Sequence, residues 1–177
     1  MKTLLLLRHA KAEAHTGSAG DHARGLSGRG QKASGDMGAY LTRHGPVPDL
    51  IVCSDARRAR ETMDGVLVAM TGSPTVEIDP ALYLAEPDRI LQRIRKADDR
   101  FGTVMIVGHN PGMEDLARTL VARPAKGAAA AAYARLCSKF PTGGLAEIAF
   151  DLESWALVDY GAGRLDAFVV PRDLAEG

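Results

Sequence analysis

The sequence predicts an α/β fold: a three-layer α/β/α sandwich whose central sheet is mainly parallel, with an antiparallel strand at its edge. Two short apolar runs, Leu4–Leu7 and Thr103–Val107, do not alternate between apolar and polar residues, so each fits a strand buried on both faces. Amphipathic helical patterns separate the early strands, as parallel pairing requires. Near the carboxyl terminus, strands follow one another without helices, which indicates antiparallel pairing.

Length and composition set limits on the function. The 177 residues are 46% hydrophobic and 25% charged, so residues 1–177 are expected to form a single domain with one full core. Acidic and basic residues balance at 22 each, so we expect neither a nucleic-acid nor a membrane partner. No apolar run approaches the roughly 20 residues that span a bilayer, and no signal sequence is recognisable, which predicts a cytoplasmic protein. Cys53 and Cys137 are expected to be reduced thiols.

The first strand ends in Arg8 and His9, and a glycine-rich loop without periodicity follows over residues 11–30. In an open α/β sheet, ligands bind at the carboxyl ends of the strands, so Arg8 and His9 are expected at the rim of a pocket. The alternative is that these two residues only mark where a buried strand meets solvent. The loop also carries polar side chains that could reach over the pocket, namely Asp21, Arg24 and Ser27.

A second short strand, over residues 49–54, is followed at once by a run of arginines. Ser54 or Asp55 fits the N-cap of a helix, whose free amides favour an anion. A guanidinium makes paired hydrogen bonds to two oxygens and therefore suits a phosphate. The alternative is a solvated basic face, and helical rotation allows at most one or two of the three arginines to point into one pocket. The arginines are Arg57, Arg58 and Arg60.

The remaining elements follow from apolar periodicity and from glycine and proline positions. We predict helices over residues 31–43, 55–70, 86–96 and 113–121. We predict strands over residues 75–78, 145–152 and 165–170, and a further short strand over 155–160. The alanine-rich segment over residues 126–134 is either a helix or an accident of composition.

A second histidine, His109, follows the buried strand Thr103–Val107. A lone histidine after a strand is more often structural. Two parallel strands that each end in histidine would deliver both imidazoles to one edge of the sheet. Together with the arginines at two strand ends, the pair favours a functional site.

These residues resemble the histidine phosphatase superfamily, also called the phosphoglycerate mutase-like family. Arg8-His9-Ala10 is similar to its Arg-His-Gly signature, residues 54–62 to its Ser-Pro-x-x-Arg-Ala-x-x-Thr element, and Gly108-His109 to its second-histidine motif. The resemblance covers nearly the whole chain. Small size, the Arg-His-Ala opening and the late segment favour the branch of SixA-type phosphohistidine phosphatases.

The resemblance implies the phosphoglycerate mutase-like fold and a role for each matched residue. His9 would be the nucleophile, and Arg8, Arg58 and His109 would bind the phosphoryl group. Arg24 and Asn110 are expected at the substrate-binding rim.

Two positions depart from the family pattern. The larger family usually has a glutamate acid in the segment that here spans residues 81–86, where the matching position is apolar and Glu86 is displaced. The general acid is therefore unassigned, although a phosphoramidate substrate needs less proton donation. Asp55 stands where the family commonly has proline, and we interpret it as an alternative N-cap.

The implied chemistry is consistent with the residues. A neutral imidazole attacks phosphorus in line, and water then hydrolyses the phosphohistidine. Fixed cations can stabilise the charge that spreads over the phosphoryl oxygens, so we expect no metal and no other cofactor. The substrate would be a phosphorylated protein or a small phosphorylated metabolite. Protein phosphohistidine is preferred, because the chain lacks long insertions that could form a lid.

Alternative functions are tested by spacing. A cysteine-dependent phosphatase needs arginine six positions after its cysteine, but Ala59 stands six positions after Cys53. A P-loop ending in Gly-Lys-Ser/Thr is missing from the sequence, and the histidines lack the i,i+4 spacing of a helical zinc pair. A small-molecule phosphomonoesterase of the same superfamily remains an alternative. A non-catalytic phosphate-binding module is disfavoured, because binding needs cations and no paired histidines.

Overall fold

The computed structural model describes residues 1–15 and 17–175, which form one six-stranded sheet packed with helices on both faces. The strands are β1 (Lys2–Arg8), β2 (Leu50–Cys53), β3 (Thr75–Ile78), β4 (Thr103–Gly108), β5 (Leu145–Phe150) and β6 (Arg164–Val169). The α-helices are α1 (Gly28–His44), α2 (Arg57–Ala69), α3 (Pro87–Arg95), α4 (Gly112–Leu120), α5 (Gly127–Ser138) and α6 (Pro171–Ala175).

The strand order is β3-β2-β4-β1-β5-β6. The pairs β1–β4, β2–β4 and β2–β3 are parallel, whereas β5 pairs antiparallel with both β1 and β6. The predicted α/β sandwich, mainly parallel with an antiparallel edge, is therefore confirmed. The carboxyl ends of β1, β4 and β2 lie side by side at one edge of the sheet.

The four consecutive leucines of β1 are all fully buried. Side chains alternate along a strand, so Leu4 and Leu6 pack on the face covered by α3, α4 and α5, while Leu5 and Leu7 pack on the face covered by α1 and α2. Burial on both faces explains why the run shows no polar alternation. Because the buried run ends at Leu7, Arg8 and His9 stand at the end of β1.

One predicted strand is wrong. Residues 155–157 form a short 3₁₀ turn, at whose start the Ser154 hydroxyl accepts a hydrogen bond from the Ala156 N–H (3.2 Å). The Trp155 indole N–H donates to the Phe101 carbonyl (2.8 Å), and its ring is fully buried. Trp155 and Val158 therefore pack against the core while Leu157 is exposed, and the segment adds no strand to the sheet.

The first helix begins earlier than predicted, at Gly28, so the loop ends near residue 27. Ser27 does not reach over the site; it is the N-cap of α1, and its hydroxyl accepts a hydrogen bond from the Gly30 N–H (3.1 Å). At the other end of the loop, the Lys11 carbonyl accepts hydrogen bonds from the Ser27 N–H (2.9 Å) and from the Ser27 hydroxyl (3.0 Å). These contacts tie the two ends of the loop together.

The predicted cap of α2 is also wrong. Ala56 occupies the N-cap position and provides no side-chain hydrogen bond. The Asp55 carboxylate pairs instead with His22 (2.9 Å), and the Ser54 hydroxyl contacts His109 (2.8 Å). Both polar side chains before α2 are used for contacts around the strand ends.

The alanine-rich segment is helical and forms part of α5, and the buried residue of α5 is Leu136. Cys53 and Cys137 are free thiols, of which Cys53 is buried. Within the described residues, no helix combines the length and apolar character needed to cross a bilayer.

Candidate active site

The ends of β1 and β4 bring the two predicted histidines together. Arg8 is in register with Gly108, and the His9 N–H donates to the Gly108 carbonyl (3.0 Å). The ring centroids of His9 and His109 are 5.2 Å apart, and both side chains are buried. The parallel pairing of two buried strands is therefore what places the imidazoles side by side.

A turn over residues 141–144 fixes the end of β1. The Gly143 N–H lies within hydrogen-bond distance of the Arg8 (3.1 Å) and His9 (2.9 Å) carbonyls. Gly143 has φ +74°, a backbone conformation that side chains rarely adopt, and an added Cβ would lie 2.8 Å from Pro171 Cγ. Glycine at this position allows the turn to close over the strand end.

The contacts of His9 define its protonation state. Its Nδ1 lies 2.7 Å from the Ala10 carbonyl, which can only accept, so Nδ1 carries the proton. Its Nε2 accepts a hydrogen bond from Arg58 Nε (3.3 Å) and therefore presents a lone pair. Burial lowers the pKa of His9 from 6.5 to about 4, and repulsion from Arg58 and Arg8 contributes. The imidazole is neutral at pH 7, with a basic nitrogen facing a guanidinium.

His109 is also held neutral. Its Nε2 lies 2.8 Å from the Ser54 hydroxyl, which also accepts a hydrogen bond from the Ala56 N–H (3.3 Å). Its Nδ1 is buried and has no hydrogen-bond partner among the described residues. Burial lowers the pKa of His109 to about 3, and the neighbouring His9 adds to the shift.

Arg8 and Asn110 share one acceptor. Arg8 NH1 and Asn110 Nδ2 both donate to the Phe140 carbonyl, each at 3.0 Å. Asn110 also exchanges hydrogen bonds with Glu114, at 3.2 Å in each direction. Asn110 thus links the end of β4 to the segment before β5, and its predicted substrate contact stays a prediction. Arg8 Nε is buried and has no partner in the part of the chain that the structure describes.

Arg58 is the arginine of the run that points into the site. Its side chain is 3% exposed, whereas that of Arg57 is 59% exposed and pairs with Glu61. The Thr62 hydroxyl donates to the Arg58 carbonyl (2.6 Å) and accepts from the Ala10 N–H (2.9 Å). Thr62 therefore joins the segment that follows His9 to the helix that carries Arg58.

Three further residues, Asp21, Arg24 and Tyr83, complete the cluster. The Asp21 carboxylate accepts hydrogen bonds from Arg58 NH2 (2.9 Å), Arg24 NH2 (2.9 Å) and the Tyr83 hydroxyl (2.5 Å). The Tyr83 ring packs edge-on against His109, with centroids 5.4 Å apart. Arg24 therefore lies beside Arg58, joined to it through Asp21.

Sequence reasoning considered Asp21 only as one of several polar loop residues and missed Tyr83, Thr62 and Ser54 as site residues. Tyr83 lies in the apolar segment that corresponds to the glutamate of the larger family. Thr62 belongs to a family motif, and Ser54 carries the sequence signal of a helix cap. Their contacts join residues far apart in the chain, so no local periodicity signals them.

The neutral histidines predict a pH dependence of stability. A histidine in an unfolded chain titrates near pH 6.5, so above the depressed pKa values of His9 and His109 the unfolded chain binds more protons than the folded one. We therefore expect the free energy of unfolding to fall by roughly 1–3 kcal/mol between about pH 6.5 and 5. Urea denaturation at several pH values measures this slope. A His109→Asn variant should show a shallower slope, and an equal slope would contradict the assignment.

Among residues 1–15 and 17–175, no cluster of three or more histidine, cysteine or carboxylate side chains is arranged to hold a metal ion.

Comparison with known proteins gives the family. The profile of the histidine phosphatase superfamily (branch 1) matches residues 4–83. An uncharacterized protein of Mycobacterium tuberculosis strain H37Rv is 36% identical over 167 residues, which cover 94% of this chain and 100% of that protein.

Two solved structures share the fold and 29% sequence identity with this chain. Both are provisionally described as phosphohistidine phosphatase SixA. The Nakamurella multipartitia structure has a TM-score of 0.82 and covers 96% of each chain. The Agrobacterium tumefaciens structure has a TM-score of 0.77 and covers 96% of this chain and 99% of that one. The chain therefore belongs to branch 1 of the histidine phosphatase superfamily and is a phosphatase of the SixA type.

Proposed function

We propose that this phosphatase acts through a phosphohistidine intermediate on His9, without a metal ion, and that its substrate is phosphohistidine carried by a protein. The observation that carries the proposal is the state of His9. The imidazole is neutral, its Nδ1 is bonded to the Ala10 carbonyl, and its Nε2 lone pair faces the Arg58 guanidinium, where a phosphoryl group would bind.

The reaction divides into two displacements. Nε2 of His9 forms a bond to phosphorus as the bond between phosphorus and the leaving group breaks, and the leaving group takes a proton from water. Water then attacks phosphorus, inorganic phosphate departs and the Nε2 lone pair is restored. In both steps negative charge spreads over the phosphoryl oxygens, which guanidiniums can stabilise by fixed hydrogen bonds.

We assign the donors for those oxygens to Arg58, Arg8 and, in the tautomer that carries its proton on Nδ1, His109. Arg8 Nε and His109 Nδ1 are buried and lack hydrogen-bond partners among the residues that the structure describes. A buried donor without a partner costs free energy, which an oxyanion would recover. This supports phosphoryl-binding roles for both residues.

Neither Asp21 nor Glu86 is suited to act as a general acid, which favours a phosphoramidate substrate. Hydrogen bonds from Tyr83 and Arg58 hold the pKa of the Asp21 carboxyl well below its usual range, so Asp21 has no proton to give at neutral pH. Glu86, which lies in the segment of the family's usual acid, is exposed next to the start of α3. The imidazole of phosphohistidine needs less protonation to leave than an alkoxide does. The two SixA structures at 29% identity support the same substrate class.

The test compares substrates under metal-free conditions. Phosphate release from a phosphohistidine-containing protein, an aryl phosphate and a sugar phosphate is measured in EDTA. We expect turnover of the first two and the highest kcat/KM for the phosphohistidine protein. Faster turnover of the sugar phosphate would instead assign a small-molecule phosphomonoesterase. Loss of all turnover in EDTA, restored by Mg²⁺, would contradict the metal-independent mechanism.

A further inference from the structure

The Asp21 carboxylate is an unusual feature for a phosphoryl-binding site, because it places a negative charge beside the arginines. It is hydrogen-bonded by Arg58, Arg24 and Tyr83, although its side chain remains 41% exposed. A carboxylate in this place either competes with the phosphoryl group for the arginines or holds them in position. The contacts of Arg58 distinguish these two roles.

Asp21 contacts both terminal nitrogens of Arg58. NH1 donates to the Asp21 main-chain carbonyl (2.8 Å), and NH2 donates to the Asp21 carboxylate (2.9 Å). The third nitrogen, Nε, points to His9 Nε2 (3.3 Å). A guanidinium is planar and carries five N–H donors, so two bonds to its outer edge fix the direction of its inner edge. Asp21 occupies the outer edge and leaves the edge that faces His9 for the phosphoryl group.

The residue after Asp21 anchors this part of the loop. The His22 carbonyl accepts a hydrogen bond from the Arg57 N–H (3.0 Å), and the His22 imidazole pairs with Asp55 (2.9 Å). Both partners lie at the start of α2, the helix that carries Arg58. Asp21 is therefore held at a fixed distance from Arg58 by contacts that do not involve its own side chain.

The charge of the cluster is also consistent with a permanent role for Asp21. Arg8, Arg24 and Arg58 carry three positive charges, and Asp21 subtracts one, while burial keeps His9 and His109 neutral. Glu114, whose charge also acts on Arg8, is paired with Arg118, so the remaining charge of two matches the dianion of a phosphoryl group. Binding the substrate thus requires no displacement of the carboxylate for charge balance.

We propose that Asp21 is a positioning residue that orients the Arg58 guanidinium towards the phosphoryl group on His9, with Tyr83 and Arg24 holding the carboxylate in place. This inference rests on the proposed function, since it concerns the same site. It adds a residue whose effect is exerted through Arg58 and not by contact with the reacting atoms.

The test uses Asp21→Asn, which keeps the shape of the side chain and removes its charge. A misdirected donor weakens the five-coordinate transition state more than the tetrahedral ground state, so we expect kcat for an aryl phosphate to fall about 10- to 100-fold. Orthovanadate mimics the five-coordinate state and inorganic phosphate the tetrahedral one. The ratio of vanadate to phosphate affinity, measured by calorimetry, should fall at least severalfold.

The control is Asp36→Asn, which removes one carboxylate from an exposed pair with Lys32 on α1 and should change neither quantity. A purely structural role of Asp21 would lower kcat without changing the affinity ratio, and that result would overturn the proposal. Tighter phosphate binding with unchanged or higher kcat would identify a competing anion and would overturn it as well.

Tyr83→Phe provides a second variant that removes one hydroxyl from the carboxylate and tests the proposal if Asp21→Asn fails to fold. It should lower kcat and the affinity ratio in the same direction by a smaller factor, and an unchanged ratio would overturn the proposal. The binding measurement does not depend on turnover. A wild-type protein that hydrolyses none of the substrates would therefore refute the proposed function, while the affinity ratios would still decide the role of Asp21.

Discussion

Replacing His9 by alanine is expected to lower kcat by about 10⁴-fold or more, because the change removes the atom that we propose as the phosphoryl acceptor. Neither His109, whose Nε2 contacts Ser54, nor a water molecule would replace His9 as the group that forms a covalent bond to phosphorus. Rapid mixing of radiolabelled substrate with wild-type protein, followed by an alkaline quench, should trap an acid-labile phosphoryl group on the chain. The same experiment with His9→Ala should trap none.

The matched control is His44→Ala, which removes an exposed histidine at the end of α1 and should retain wild-type kcat. Thermal unfolding of each variant shows that the fold is intact. Wild-type turnover in His9→Ala would mean that another group is the nucleophile, and a trapped phosphoryl group on that variant would identify which.

The second large effect is expected from Arg58→Lys, which should reduce kcat/KM about 10²- to 10³-fold while the positive charge is kept. A lysine ammonium is a point charge, so it cannot contact Asp21 through one edge and face His9 through the other, as Arg58 does. Steady-state kinetics with an aryl phosphate measures the loss. Inorganic phosphate should also inhibit the variant more weakly than the wild type.

Arg57→Lys is a closely matched control for this substitution. Arg57 is the preceding residue on the same helix, its side chain is exposed, and its partner is Glu61. We expect near wild-type kinetics for Arg57→Lys. Equal losses in the two variants would mean that general positive charge at the start of α2, and not the guanidinium geometry of Arg58, supports the reaction.

The sequence predicted the positions of those site residues that are placed by a single strand or helix. His9 and His109 stand at the ends of strands buried on both faces, so apolar runs alone located them at the same edge of the sheet. Helical rotation limited the arginines that can enter one pocket, and the family motif selected Arg58. In each case the signal lies within a few residues of the side chain concerned.

The parts that sequence reasoning missed depend on contacts between distant segments. Asp21 meets Arg58 and Tyr83 at separations of 37 and 62 residues. Ser54 and Asp55 carry the local signal of a helix cap, but the Ser54 hydroxyl contacts His109 and the Asp55 carboxylate lies beside the His22 imidazole instead. Residues 155–160 contain β-forming side chains, yet burial of the Trp155 ring stabilises a turn. Tertiary contacts outweigh local preference at these positions.

The hydrogen bond between His9 Nδ1 and the Ala10 carbonyl also predicts the regiochemistry of the covalent adduct that we propose. Phosphorylated imidazole exists as two isomers, according to which ring nitrogen bears phosphorus. Because Nδ1 is bonded to the main chain, the phosphoryl group of the proposed intermediate would reside on Nε2, which is the tele isomer. The main chain of one neighbouring residue would thus restrict the proposed intermediate to a single isomer.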